Sequence, residues 1–256
     1  MKNMNGKIIR NTVIIVVIAL LCLKIFTPFF GRPVFIYNMD SMDGELKSHF
    51  QICSNVKETI IHDPNIYNLS CIKYFSNLEV LCVSGFYAEN IDTKYIVNEN
   101  VKRVAFSFYS NDWSHLKECT NLEKISIIYC DFSDTNDISG LSKLEELYID
   151  TDNDLIVRNI EKSENLKKIV LNSKKTIDLG GLSELKNIEH LSISGELINF
   201  NAIRSVSVLE LHSCDNIDWE HIKNIDGLEK VRITGRQVNE EIISELKDRG
   251  VTVEVD

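Results

Sequence analysis

The chain is poor in the residues that break or loosen a fold. Three prolines and eleven glycines in 256 residues argue against a long disordered segment. No Cys-x-x-Cys pair occurs. The seven cysteines (22, 53, 71, 82, 119, 130 and 214) are scattered and odd in number, which excludes a zinc-type cluster and does not suit a disulfide framework. Several fall where a small buried apolar residue serves. The six histidines form no His-Glu-x-x-His or other ligand pair. Gly-x-Ser-x-Gly, phosphate-loop and dinucleotide fingerprints are also missing. The chain therefore reads as a protein that is not an enzyme and carries no cofactor. Finally, no acidic residue stands in the first 37 positions, against five basic ones, while the remainder has 23 Lys and Arg against 38 Asp and Glu, a net of −15. Such a body is repelled by phosphate backbones and anionic lipid, so nucleic acid is excluded as a partner.

What is present begins with an apolar run, Val13 to Leu23, preceded by Lys2, Lys7 and Arg10 and extended to Phe30. No small-residue cleavage site follows it, and Leu21 before Cys22 does not suit a lipoprotein site. The 19 residues from Ile8 to Phe26 reach about 30 Å as a helix, close to a bilayer core. Arg10 and Lys24 then lie near its two ends and snorkel to the headgroups. This predicts a single-pass signal anchor over 1–30, which places a lipid bilayer among the partners. The basic flank directs the N-terminus to the cytoplasm and the body outside it. A linker over 31–41 and one folded domain over 42–256 complete the organisation.

The body repeats. NVKETIIH, NLEVLCVS, NVKRVAFS, NLEKISII, KLEELYID, NLKKIVLN, NIEHLSIS, SVSVLELH and GLEKVRIT start at Asn55, Asn77, Asn100, Asn121, Lys143, Asn165, Asn187, Ser205 and Gly227. In register, each places apolar residues as L-x-x-L-x-L, except that Thr59 takes the fourth place in the first. The leading positions run Val56, Leu78, Val101, Leu122, Leu144, Leu166, Ile188, Val206 and Leu228, a period near 22 with one short step after Ile188. L-x-L alternation is a strand signal. Pairs three apart in the return segments, such as Ile138 and Leu141 or Leu182 and Leu185, mark a short helical turn.

This pattern resembles the leucine-rich repeat family from about Val56 to Asp256. The resemblance implies an α/β solenoid with a curved parallel sheet on its concave side and short helices or turns on its convex side, here preceded by one transmembrane helix. One departure is plain. The family often has Asn or Cys at the ninth position, bonding the turn backbone, and only Cys130 and Cys214 fit. Pro64, Phe86, Tyr109, Asp152, Lys174, Glu196 and Arg236 stand there instead, which predicts irregular turns. The short step predicts a shortened coil over 195–204. Residues 42–53 have the spacing of an N-terminal cap helix. Ile242, Ile243 and Leu246, with Gly250 behind them, predict a C-terminal helix, and VTVEV a last strand.

Two candidate sites follow. Asp150, Asp152, Asp154 and Glu161 have calcium-loop spacing, but Leu155 stands where the loop requires Gly, and LEELYI before it is a strand rung. No metal is expected. The better candidate is the concave face, where side chains between and just after the core positions point. Phe108, Ile128, Tyr129 and Tyr148 fall there, surrounded by Arg103, Lys124, Glu146, Lys168 and Asp150. Two roles fit the rings: an interface for a protein or peptide partner, or mutual packing across strands. The function expected is a membrane-anchored binding module facing away from the cytoplasm. The alternative is a scaffolding subunit packed against another membrane protein.

Overall fold

The computed structural model describes residues 34–37 (as backbone), 56–62, 69–85, 91–110, 112–235 and 238–256. The expected anchor, the expected N-terminal cap over 42–53, and Pro64, Phe86 and Arg236 lie outside the described residues. No helix among the described residues is long and apolar enough to cross a membrane.

The repeats form one parallel sheet. Its strands are β1 (Val34–Tyr37), β2 (Glu58–His62), β3 (Val80–Ser84), β4 (Arg103–Ser107), β5 (Lys124–Cys130), β6 (Glu146–Thr151), β7 (Leu155–Ile156), β8 (Lys168–Asp178), β9 (His190–Ile198), β10 (Val208–His212), β11 (Lys230–Thr234) and β12 (Thr252–Val255). They stack in chain order, with β7 off the main path and paired with β8. β1 lies inside the segment 31–41 expected as a linker, so the sheet begins upstream of residue 42.

The 22-residue period is visible in the backbone ladder. The first residue of most strands donates to the carbonyl one coil back, as from Lys124 to Lys102 at 3.0 Å and from Glu146 to Glu123 at 3.1 Å. Side chains alternate across the strands. One inward row runs Thr59, Leu81, Val104, Ile125, Leu147, Ile169, Leu191, Leu209, Val231 and Val253 in register. Most of it is buried, Thr59 included. The paired apolar residues of the return segments close the core from the other side. Ile138, Leu141, Leu182, Leu185, Ile222 and Ile225 are all buried. They ride on 3₁₀ turns such as Thr135–Ile138 and Gly180–Glu184, and on the one-turn helix α1 (Trp219–Ile222).

The ninth-position job is done, but one residue away in three coils. Ser110 Oγ donates to the Ile91 carbonyl at 2.6 Å, Thr151 Oγ1 to Cys130 at 3.2 Å and Ser173 Oγ to Asn153 at 2.6 Å. Cys214 Sγ does the same toward Ile193 at 3.2 Å, and Cys130 Sγ toward Asp150 at 3.6 Å. Nor are all the turns irregular. β7 and the far halves of β8 and β9 make a second parallel row, pairing Leu155 with Ile177 and Ile177 with Leu197. Gly195 stands at the corner in β9 with φ +148°, where a Cβ would lie 3.0 Å from the Ser173 carbonyl. The shortened coil is as expected: a three-residue turn, Phe200–Ala202, replaces the longer ones.

The C-terminal end matches its sequence. Helix α2 (Glu240–Asp248) starts at Asn239, whose side chain accepts from the Ile242 amide. It buries Ile242, Ile243 and Leu246 and stops at Gly250, φ +85°. β12 then adds to β11.

Candidate functional site on the open face of the sheet

The face opposite the core presents three rows of side chains. The first aligns Arg103, Lys124, Glu146, Lys168 and His190. Lys124 and Glu146 pair at 2.5 Å with both side chains half-exposed. The second row aligns Ala105, Ser126, Tyr148, Val170, Ser192, Glu210, Arg232 and Glu254; the third brings Ile128, Asp150, Asn172 and Ser194 together. Seven of the eight residues expected on this face are there: Arg103, Ile128, Tyr129, Tyr148, Lys124, Glu146 and Lys168.

Phe108 is not, and this corrects the sequence reading. It is fully buried, stacked on Trp113 at 5.1 Å and tilted against Phe106 at 5.3 Å. Trp113 in turn meets Phe132 edge-on at 5.8 Å and donates its indole N–H to Asp131 at 3.0 Å. The reason lies in β5. Opposite β6 the register shifts between Ile128 and Cys130, leaving Tyr129 as the extra residue of a bulge. Its φ is +51°, and the ring is 56% exposed. Phe108 and Tyr129 hold the same repeat position, but β4 keeps its alternation and sends the ring inward. β5 inserts a residue, so that Cys130 takes the inward place.

A groove of about 580 Å³ crosses β6, β8, β9 and β10. Ser192 and Ser194 of β9 line it beside Val170 and Asn172 of β8, with Tyr148 and Asp150 on its β6 side, His212 on its β10 side and Lys174 also in the lining. Asn172 Nδ2 donates to the Tyr148 hydroxyl at 3.4 Å and also hydrogen-bonds the Asp150 carboxylate. Partial burial, and then the neighbouring Asp152, push the Asp150 carboxyl above the usual range. The Tyr148 phenol is also raised, by burial and then by Asp150.

The three aspartates with calcium-loop spacing diverge. Asp150 belongs to the groove. Asp152 pairs with Lys174 at 2.6 Å and accepts from the Tyr109 hydroxyl at 3.4 Å. Asp154 accepts from the Thr176 amide at 3.2 Å. Leu155 is a core residue. Among the described residues no group of His, Cys, Asp or Glu is placed to hold a metal ion.

One feature of this face escaped the sequence reading. Glu210, on the second row, receives His190 at 3.3 Å and His212 at 3.5 Å on one oxygen, and Arg232 at 3.8 Å on the other. Arg232 also reaches Glu254 at 3.0 Å, which Lys230 joins at 2.7 Å. Burial alone would raise the Glu210 carboxyl, but His190 and His212 outweigh it and hold it below its ordinary value. The outward positions of the two histidines were readable from L-x-L alternation. Their convergence on one glutamate required the register between β9, β10 and β11.

No protein-family model matches the chain, and no curated protein matches it in sequence. Among solved structures it is similar to internalin C2 of Listeria monocytogenes, with a TM-score of 0.54 and 15% identity over 81% of this chain and 84% of that one. A second internalin of the same organism aligns over 80% of this chain and 71% of its own, at a TM-score of 0.46 and 18% identity. Together with the strand register and the repeat pattern, the first likeness shows that the fold is a leucine-rich repeat solenoid of the internalin kind.

Proposed function

We propose that this chain is a binding module, without chemistry of its own, that recognises a protein or peptide on the concave face of its solenoid. In this reading the apolar N-terminal run anchors it in a membrane and the repeats lie outside the cytoplasm. The observation that carries the proposal is the exposed Tyr129 ring beside the Tyr148–Asp150 groove, a large amphipathic side chain that the bulge takes out of the core. A leucine-rich repeat sheet suits this use because adjacent coils offer a broad surface that the core does not constrain. The scaffolding alternative draws on a different feature, Ile156 and Ile198, which stand exposed on the second strand row.

The test is site-specific photocrosslinking of the full chain in its own membranes. A crosslinking side chain at position 129 should give one discrete protein adduct, and one at Lys117 on the return face should give none. Adducts at Ile156 or Ile198 alone would favour the scaffold reading. External protease should remove the repeats from intact cells. Digestion confined to permeabilised cells would reverse the orientation.

A further inference from the structure

Of the five carboxylates that strands β6 and β10 to β12 and the C-terminal residue place on the open face, four have a cation within 4 Å. Glu146 has Lys124, Glu210 has Arg232 and two histidines, Glu254 has Lys230 and Arg232, and Asp256 has Arg232 at 3.7 Å. β8 and β9 add no carboxylate to this face within the groove. Asp150 is the exception: no ion pair reaches it among the described residues, and the nearby Lys174 is committed to Asp152 at 2.6 Å. Asn172 restrains it, and Lys174 acts on it only from beyond ion-pair distance. A half-buried carboxylate without a counter-ion is an electrostatic cost that an arriving cation would relieve. The surroundings suit such an arrival. Tyr148 stands two residues before Asp150 on the same strand face, and Tyr129 follows Ile128, the residue in register with Asp150. A phenol ring in the same groove lining as a carboxylate, with a second exposed phenol on the next strand, is a setting in which a guanidinium or ammonium gains both a cation–π and an ionic contact.

We infer that the groove at Asp150 receives a cationic side chain, an arginine or lysine of the partner, with Asp150 as its counter-ion, Tyr148 beside it in the groove lining and Tyr129 exposed on the neighbouring strand β5. This rests on the concave-face reading above and adds the chemistry of the ligand. It also turns the acidic body to use, since a net of −15 beyond the first 37 residues draws basic segments toward the surface.

The experiment uses the full chain in nanodiscs of neutral lipid and three fluorescein-labelled octapeptides alternating glycine with arginine, citrulline or glutamate, read by anisotropy. The arginine peptide should bind, and the citrulline peptide at least tenfold more weakly. Asp150→Asn should weaken the arginine peptide at least tenfold without lowering the melting temperature. Glu241→Gln, an exposed carboxylate on α2, should change it less than twofold. Equal losses in the two variants would reduce the effect to diffuse acidity and overturn the inference. A citrulline peptide that binds as tightly, and is lost in Tyr129→Ala but not in Asp150→Asn, would keep the concave face and remove the cation. If none of the peptides binds, the cation assignment falls, and the crosslink at position 129 then decides alone whether the face is used at all.

Discussion

Two neighbouring coils carry an aromatic residue at the same repeat position and use it in opposite ways. In the coil of β4, Phe108 follows the alternation inward and closes a cluster with Phe106, Trp113 and Phe132. In the coil of β5, the bulge moves Cys130 into the inward place, where it is fully buried, and extrudes Tyr129. The inward place after the second core row is thus filled by a ring, a thiol, a threonine and a serine in successive coils: Phe108, Cys130, Thr151 and Ser173. The difference teaches that a 22-residue period assigns coils reliably, but a single inserted residue exchanges the inside and outside of everything after it.

The comparison breaks most visibly at the rings. Phe108→Ala should cost about 3–5 kcal/mol, the usual loss for a buried phenylalanine. Tyr129→Ala should cost less than about 0.5 kcal/mol, as surface changes do. Urea unfolding of the two variants measures both. Comparable losses would mean that Tyr129 packs as a structural element and that the binding face must be sought elsewhere.

Backbone substitutions sharpen the same contrast at smaller scale. A β-branched side chain resists the left-handed conformation that Tyr129 adopts at φ +51°. Tyr129→Val should therefore destabilise by about 1–3 kcal/mol. Glycine accepts that conformation freely, so Tyr129→Gly should melt within about 0.5 kcal/mol of the parent. If Val and Gly behave alike, the bulge is not where the register shift puts it.

A further contrast is one of pH. Burial pushes the Cys130 thiol from 9.0 up to about 12 and the Cys214 thiol up to about 11. In the unfolded chain such a thiol ionises near 9, while in the native state it stays neutral. The stability it supports is full below pH 9 and is lost as pH rises toward 12, by about 1 kcal/mol per unit for one such group. Urea midpoints at pH 8.5, 9.5 and 10.5 should fall in turn, and Cys130→Ala should flatten that slope. An unchanged slope would show that the thiol in this place is not desolvated. Phe108, at the same place one coil earlier, has no proton to lose.

Much of this protein could be read from its residues alone, because the governing rules are local and repetitive. L-x-x-L-x-L every 22 residues assigned the strands and the buried rows, since alternation of side chains follows from the pleat, and the family resemblance implied their parallel order. Ile242, Ile243, Leu246 and Gly250 marked a closing helix by spacing and by the conformational freedom of glycine. Leu155 was read as a core residue rather than the turn of a calcium loop, and it is buried. Arg103, Lys124, Glu146 and Lys168 were placed on the open face by the same alternation.

What only the tertiary structure decided depends on register between coils, which no single repeat contains. Phe108 and Tyr129 were indistinguishable by position until the pairing of β5 with β6 revealed an extra residue. Ser110, Thr151 and Ser173 replaced the expected ninth-position residues because a hydroxyl one place away reaches the carbonyl of the preceding coil. Asp150 looked like one of three equivalent acids. Only the partners of Asp152 and Asp154, supplied by Lys174 and Thr176 one coil on, left it without an ion pair in its groove. Hydrogen bonds and charges were settled between chain segments some 22 residues apart, and the distances that govern them exist only once those segments are stacked.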